Sequence, residues 1–307
     1  MKVLLKKLFI ISFLFLLGIT QYAHAQELND STQIKKGRLI GFSTFAGTAF
    51  VGGLTGLYYL WYKDYDQSGF HSINDMEAWL QVDKVGHAYS NYQMSRIAFL
   101  GFRWAGLDEK KSAFIGSGLS FAFFTSVEVF DGFSSNWGWS WGDVAANAAG
   151  TGLFLGQQLA WHEQRILFKY SYSPTEYPQY NPELLGNNLV EKMLKDYNAQ
   201  TYWLSVNPQS FAGSHRIFPK WLNIAFGYGA KGMTGTYHNP SEIDGVAIPE
   251  YRRTRQFYLS LDIDLSKIKT RSEFLRLLLE TANLIKIPMP ALEYNAENGF
   301  VLHALYF

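Results

Sequence analysis

The 307-residue chain contains no cysteine. That excludes disulfides and a thiol nucleophile, and it leaves no acceptor for a lipoprotein acyl group at a cleavage point. An exported chain without such staples must rely on core burial, a bilayer or a partner. Charge of one sign is also scarce: the formal net charge is +1, so no bulk field draws in nucleic acid. There is no G-x-S-x-G and no H-E-x-x-H, and neither an internal repeat nor a low-complexity tract.

Aromatic residues are plentiful. They make up 17% of the chain, with 24 Phe and 19 Tyr, which suits a lipid interface or a large aromatic core. The first 25 residues read as a secretory signal. Lys2, Lys6 and Lys7 precede an apolar run from Leu8 to Ile19, and Ala23-His24-Ala25 is a small-x-small cleavage site. A polar lead-in spans residues 26–38.

Leu39 to Tyr62 then runs without a charge and ends in aromatics. At about 1.5 Å per residue it is long enough to cross a bilayer core of about 30 Å. Further helices are expected over Lys84–Trp104, Ser112–Phe130 (with Asp108 as cap) and Asp143–Trp161, the last continuing in polar form to Lys169. A Pro- and Tyr-rich linker covers 170–182. Beyond it a helix is expected over Pro182–Tyr197, with Asn181 as N-cap. Alternation predicts strands at Leu222–Tyr228, Phe257–Leu265 and Phe300–Phe307, and an amphipathic helix at Ser272–Ile285. About four strands are visible, too few to close a membrane barrel of about eight.

The informative feature is a polar set inside the most apolar third. Asp83 and His87, Glu128 and Asp131, and Asp143 and Asn147 each have helical i,i+3 or i,i+4 spacing, so each pair shares a helix face. Three successive helices could aim these pairs at one locus. Four separate carboxylates at mid-bilayer would cost about 10–14 kcal/mol, at about 2.5–3.5 each. The acids must therefore sit near helix ends, line a wet cavity, or share Lys84, His87, Arg96 and Arg103. The donor types suit a divalent ion, although the spacing matches no established ligand pattern. They also suit an acid/base site with candidates Asp83, His87 and Glu128, a structural network that locks helix packing, or a headgroup site. Trp137, Trp139 and Trp141 alternate beside this set, as an interfacial anchor or as a lid, with Ser140 capping the next helix.

These residues resemble the YfiM family of bacterial envelope proteins. Its pattern, D-K-x-x-H, a Glu-x-x-Asp pair and G-W-S-W-x-D, is carried in this chain by Asp83, Lys84, His87, Glu128, Asp131, Gly138, Trp139, Ser140, Trp141 and Asp143. The likeness covers about Val82 to Trp161. A more distant likeness is to VanZ-like membrane proteins, through Asp83, Lys84, His87, Glu128, Asp143, Asn147 and Gly150. Asp131 and Val127 depart from that pattern. Neither family has an agreed mechanism, so the resemblance implies an envelope location and an architecture rather than an activity.

The expectation is a mainly α chain. A membrane-associated bundle of about four helices (39–169) precedes a small periplasmic α+β module (183–307). Its function is that of an exported envelope protein whose polar set binds a lipid or cell-wall headgroup or locks helix packing. The alternatives are a hydrolase of a lipid-linked or phosphorylated envelope substrate and a subunit of an envelope assembly. The ligand-binding set is Asp83, Lys84, His87, Glu128, Asp131, Trp139, Trp141, Asp143 and Asn147. No cofactor is required, a divalent metal being the one candidate. The expected partner is a membrane lipid or cell-wall precursor, and not nucleic acid.

Overall fold

A computed structural model describes residues 34–307 apart from 64, 214, 216–217 and 244. The expected signal segment lies outside the described residues. Those residues divide into two compact units. One holds 34–74, 90–164 and 270–281; the other holds 75–89, 165–269 and 282–307.

The first unit is helical. α1 (Lys36–Leu57), α2 (Val82–Trp104), α3 (Glu109–Gly132) and α4 (Trp141–Trp161) follow the apolar runs of the sequence. α2 is one continuous helix, and its first two turns count with the second unit. The expected caps form. Asp108 accepts from the Lys111 amide at 2.9 Å, and Ser140 accepts from the Asp143 amide at 3.0 Å. α1 packs on α2 through Phe42 and Phe102, whose rings meet edge-on at 4.8 Å. Gly116 lets α3 approach α2 closely, since a Cβ there would lie 2.7 Å from the Phe99 amide nitrogen. Two of these helices, α1 and α3, are long and apolar enough to cross a membrane by length and composition alone, and α3 is the more buried of the two. The four expected helices form, but among the described residues only these two are candidates to span a membrane, and weak ones.

The second unit overturns the expected fold class. The C-terminal half is not a small module after a mainly α chain; it carries a six-stranded antiparallel sheet. Its strands are β1 (Ile166–Tyr172), β2 (Gln200–Val206), β3 (Leu222–Lys231), β4 (Thr254–Ile263), β5 (Met289–Asn295) and β6 (Gly299–Tyr306). They lie in chain order as a meander. The polar continuation expected after α4 does not form a helix. His162 takes a left-handed backbone (φ 58°) and ends α4, and Ile166 onward pairs as β1. The helix expected over Pro182–Tyr197 is broken at Gly186 (φ 98°) into Pro182–Leu185 and Leu189–Lys195, each capped by an asparagine.

Register aligns the side chains into rows. Tyr170, Tyr202, Tyr228, Phe257, Tyr294 and Phe300 are successive partners across all six strands. One row along, Phe168, Leu204, Phe226, Leu259, Leu292 and Leu302 do the same. Both rows lie on one face. Tyr89, from the first turns of α2, covers that face at β1 and β2, with its ring 5.7 Å from Phe168 and 5.5 Å from Tyr202. The other face sets Lys169, Asp262 and Glu293 around a Trp203, Ala225, Tyr258 and Ala291 cluster and closes on itself. The Thr201 and Tyr306 hydroxyls lie 3.1 Å apart, although three strands separate β2 from β6 in the sheet. The sheet is therefore strongly curled about its polar side.

Candidate functional site

The polar residues singled out by spacing fall in both units. In the second unit, the Lys84 ammonium is clasped by two carboxylates. It pairs with Asp75 and lies 3.0 Å from Asp83, with all three side chains nearly buried. Buried charges persist only when paired and hydrogen-bonded, so Asp75, which spacing did not single out, completes this set. Trp79, Leu80 and Gln81 lead into α2 with positive φ (48°, 50° and 67°). Such backbone costs about 1–2 kcal/mol per residue without glycine. It is held by side-chain anchors: Tyr228 donates to the Leu80 carbonyl, and Arg255 donates to Gln81 at 2.8 Å. Gly86 makes room for the Tyr202 hydroxyl, which would lie 2.7 Å from a Cβ there. His87 follows, half-buried.

In the first unit, Asp143 and Asn147 occupy successive turns of α4 and are both buried. The Asn91 amide donates to Asn147 at 2.6 Å, while Ser120 of α3 donates to the Asn91 carbonyl at 3.0 Å. Thr151 donates to the Asn91 side chain at 3.3 Å. Asn91 thus ties three helices through one amide, and the sequence motif did not include it. Its signal was its place one turn after His87 on the same helix face.

Glu128 and Asp131 share α3 but not an environment. Glu128 is fully buried. Asp131 is half-buried and accepts from the Tyr62 hydroxyl at 2.7 Å. The Tyr62 ring packs edge-on against Phe130 at 5.8 Å and Trp137 at 5.6 Å, and Tyr65 meets Trp137 at 4.9 Å. Tyr58, Tyr62, Tyr65, Phe130, Phe133 and Asp66 line a cleft of about 250 Å³ between them. This aromatic cleft with acids beside it was not expected from the sequence, because Tyr58–Tyr62 read as the end of a spanning segment. The Trp139 and Trp141 rings meet edge-on at 5.2 Å, with Trp141 largely exposed. Ser72 and Ile73 pair in parallel with Trp139 and Ser140, which fixes this Trp-rich loop. For a metal, donor types are available on both stretches: the carboxylates of Asp75, Asp83, Glu128 and Asp143, and the His87 imidazole.

Residues 64–155 match the model of a family described as predicted periplasmic lipoprotein (DUF2279). The match takes in the whole selected polar set and the aromatic cleft from Tyr65 onward; the six-stranded sheet lies beyond it. The description names a compartment and a lipoprotein character, not a reaction. It agrees with the envelope-type family that the sequence motif implied, and it carries neither the YfiM nor the VanZ name. No curated protein and no solved structure matches the chain.

Proposed function

We propose that this is an exported envelope protein that binds the ammonium-bearing headgroup of a lipid or cell-wall precursor in the cleft beside Asp131. The observation that carries the reading is Tyr62, whose ring lines the cleft while its hydroxyl is committed to the Asp131 carboxylate. An ammonium set over these rings is attracted by their faces, by about 0.5–2 kcal/mol per favourable ring. Asp66 and Asp131 add opposite charge. The periplasmic family description and the secretory-type N-terminus support the compartment.

In this reading Asn91, bonded to Asn147 and Ser120, locks the helices of the first unit, and Trp139 and Trp141 supply interfacial aromatics. Lys84 with Asp75 and Asp83 is a separate charge set of the second unit. A purely structural role for the whole set is the second reading, favoured by the fully buried Asn91–Asn147 bond.

Native mass spectrometry of the full chain in a maltoside detergent separates the two. The probes are dihexanoyl phosphatidylethanolamine and phosphatidylcholine, with dihexanoyl phosphatidylglycerol as the control lacking an ammonium. The expected result is a 1:1 adduct with the first two only, weakened at least fivefold in Asp131→Asn and changed less than twofold in Tyr62→Phe, which keeps the ring. Equal binding of phosphatidylglycerol, or adducts indifferent to Asp131→Asn, would sink the ammonium reading. Absence of any adduct in a folded sample would leave the structural one.

A further inference from the structure

The six-stranded sheet is inside-out relative to a water-soluble one. Along β4, Thr254, Gln256, Tyr258, Ser260 and Asp262 are buried, and the residues between them are exposed. A sheet that folds in water by burying one face turns its apolar residues inward and its polar ones out. Here the covered side surrounds a small cluster of Trp203, Ala225, Tyr258 and Ala291 with polar side chains that are satisfied internally. Gln256 donates to Glu293 at 2.6 Å, His303 meets Glu293 at 2.7 Å, and Tyr306 donates to Tyr258 at 2.8 Å. The outer side of β3 to β6 is apolar and open, with Phe226, Phe257, Leu259, Phe300 and Leu302 each between 46% and 77% exposed. Arg255, at the start of β4, is the one charged residue among the outward positions of these four strands.

We propose that this outer face is immersed in the hydrocarbon of a lipid bilayer. Three observations choose lipid over a protein partner. The face is the outside of a strongly curled sheet, as the Thr201–Tyr306 contact shows, and a fluid hydrocarbon covers such a surface strand by strand. The rows on β4 to β6 are ordered along the strands: the open rings of Phe257, Tyr294 and Phe300 lie beside the row rich in leucine, and Arg255 lies beyond them. Aromatic girdles at the edge of an apolar band are the pattern of membrane sheets, because rings such as tyrosine settle at the headgroup level. The outward positions of β4 stay apolar from Phe257 to Ile263, and seven residues at about 3.3 Å each, tilted by about 45°, reach about 16 Å of depth, enough to enter the hydrocarbon without crossing an apolar band of about 25 Å. A bilayer would add apolar contact to that of the small Trp203, Ala225, Tyr258 and Ala291 cluster inside the sheet.

The chain's lack of cysteine makes the test direct. Single replacements Leu259→Cys and Leu302→Cys, outward on neighbouring parts of the face, would be labelled with bimane. Arg255→Cys, beyond the aromatic row, would serve as the shallow control. The full chain would be reconstituted in phosphatidylcholine/phosphatidylethanolamine vesicles, with and without acyl-brominated phosphatidylcholine. The expected result is at least threefold stronger quenching by brominated chains at 259 and 302 than at 255, with iodide reaching 255 alone. Labels at 259 and 302 open to iodide would overturn the proposal. So would labels shielded from both quenchers, which is the signature of a protein partner or a second copy. Leu259→Lys provides a check without a label: its vesicle-bound fraction should fall at least tenfold while the tryptophan fluorescence of the folded sheet persists. An unchanged bound fraction would show that another segment, such as α1, holds the chain on the membrane and that this face does not.

Discussion

The Lys169 ammonium of β1 lies 2.8 Å from the Asp262 carboxylate of β4, and neither side chain is exposed to solvent at all. Two strands stand between them in the sheet, so the pair spans the curled polar interior. Ser205 donates to Asp262 at 2.6 Å, and Lys169 donates to the Ile263 carbonyl at 2.8 Å. Removing one partner strands a buried charge. Lys169→Met is therefore expected to cost about 3–5 kcal/mol in denaturant unfolding followed by tryptophan fluorescence. The double change Lys169→Met/Asp262→Leu should recover most of that loss. A single variant as stable as the parent would show that water reaches the pair.

The Asn91–Asn147 bond calls for a double-mutant cycle. Each alanine replacement is expected to cost about 1–3 kcal/mol, because it leaves a buried amide without its partner. The two losses should not add, since the second removes a group already orphaned by the first. Strict additivity would show that the two amides act independently.

At Gly116 the expected effect is overpacking. A Cβ would press on the Phe99 backbone, which cannot swing aside as a side-chain tip can. Gly116→Ala should therefore lower stability by about 1–3 kcal/mol, read as a fall in the unfolding midpoint. A neutral result would mean that α2 and α3 can separate without loss.

Lys286 sets a pH dependence. Burial pushes its ammonium down to about 8, and the nearby Lys169 charge adds to this while Asp262 opposes it. Its nitrogen sits 4.6 Å from the centre of the Trp203 ring. The folded value lies below the unfolded one, so between about pH 8 and pH 10 the unfolded chain holds more protons. Stability contributed by this group then rises with pH across that window. The rise is not more than about 3 kcal/mol, at about 1.4 kcal/mol for each pH unit that separates the folded and unfolded values. Lys286→Met should abolish it. A parent stability that stays flat or falls across the same window would contradict a depressed ammonium.

Much of the helical part was legible because its signals are local. The runs without charge, the Asp108 and Ser140 caps and the i,i+4 polar pairs each depend on neighbours within a turn. Asn91 escaped notice because its importance comes from two other helices. The sheet was only half legible. β3 and β4 show period-2 alternation, but β1 (Ile166–Tyr172) reads as a helix tail up to Lys169 and as linker after it, and Met289–Asn295, with its proline and alanine, carries no strand signal.

Alternation determined that Phe257, Leu259 and Leu261 share a face, a relation the sequence alone contains. It could not determine which way that face points, because a period of two is the same inward or outward. Tertiary structure decided it: Lys169, Glu293 and Trp203 come from other strands to meet Asp262, Gln256 and Tyr258 of β4 on the inner side, which leaves the apolar rows outside. Composition and motif thus reached the envelope and the polar helices. The side of the sheet that meets its surroundings rests on contacts between residues far apart in the chain, which no local pattern encodes.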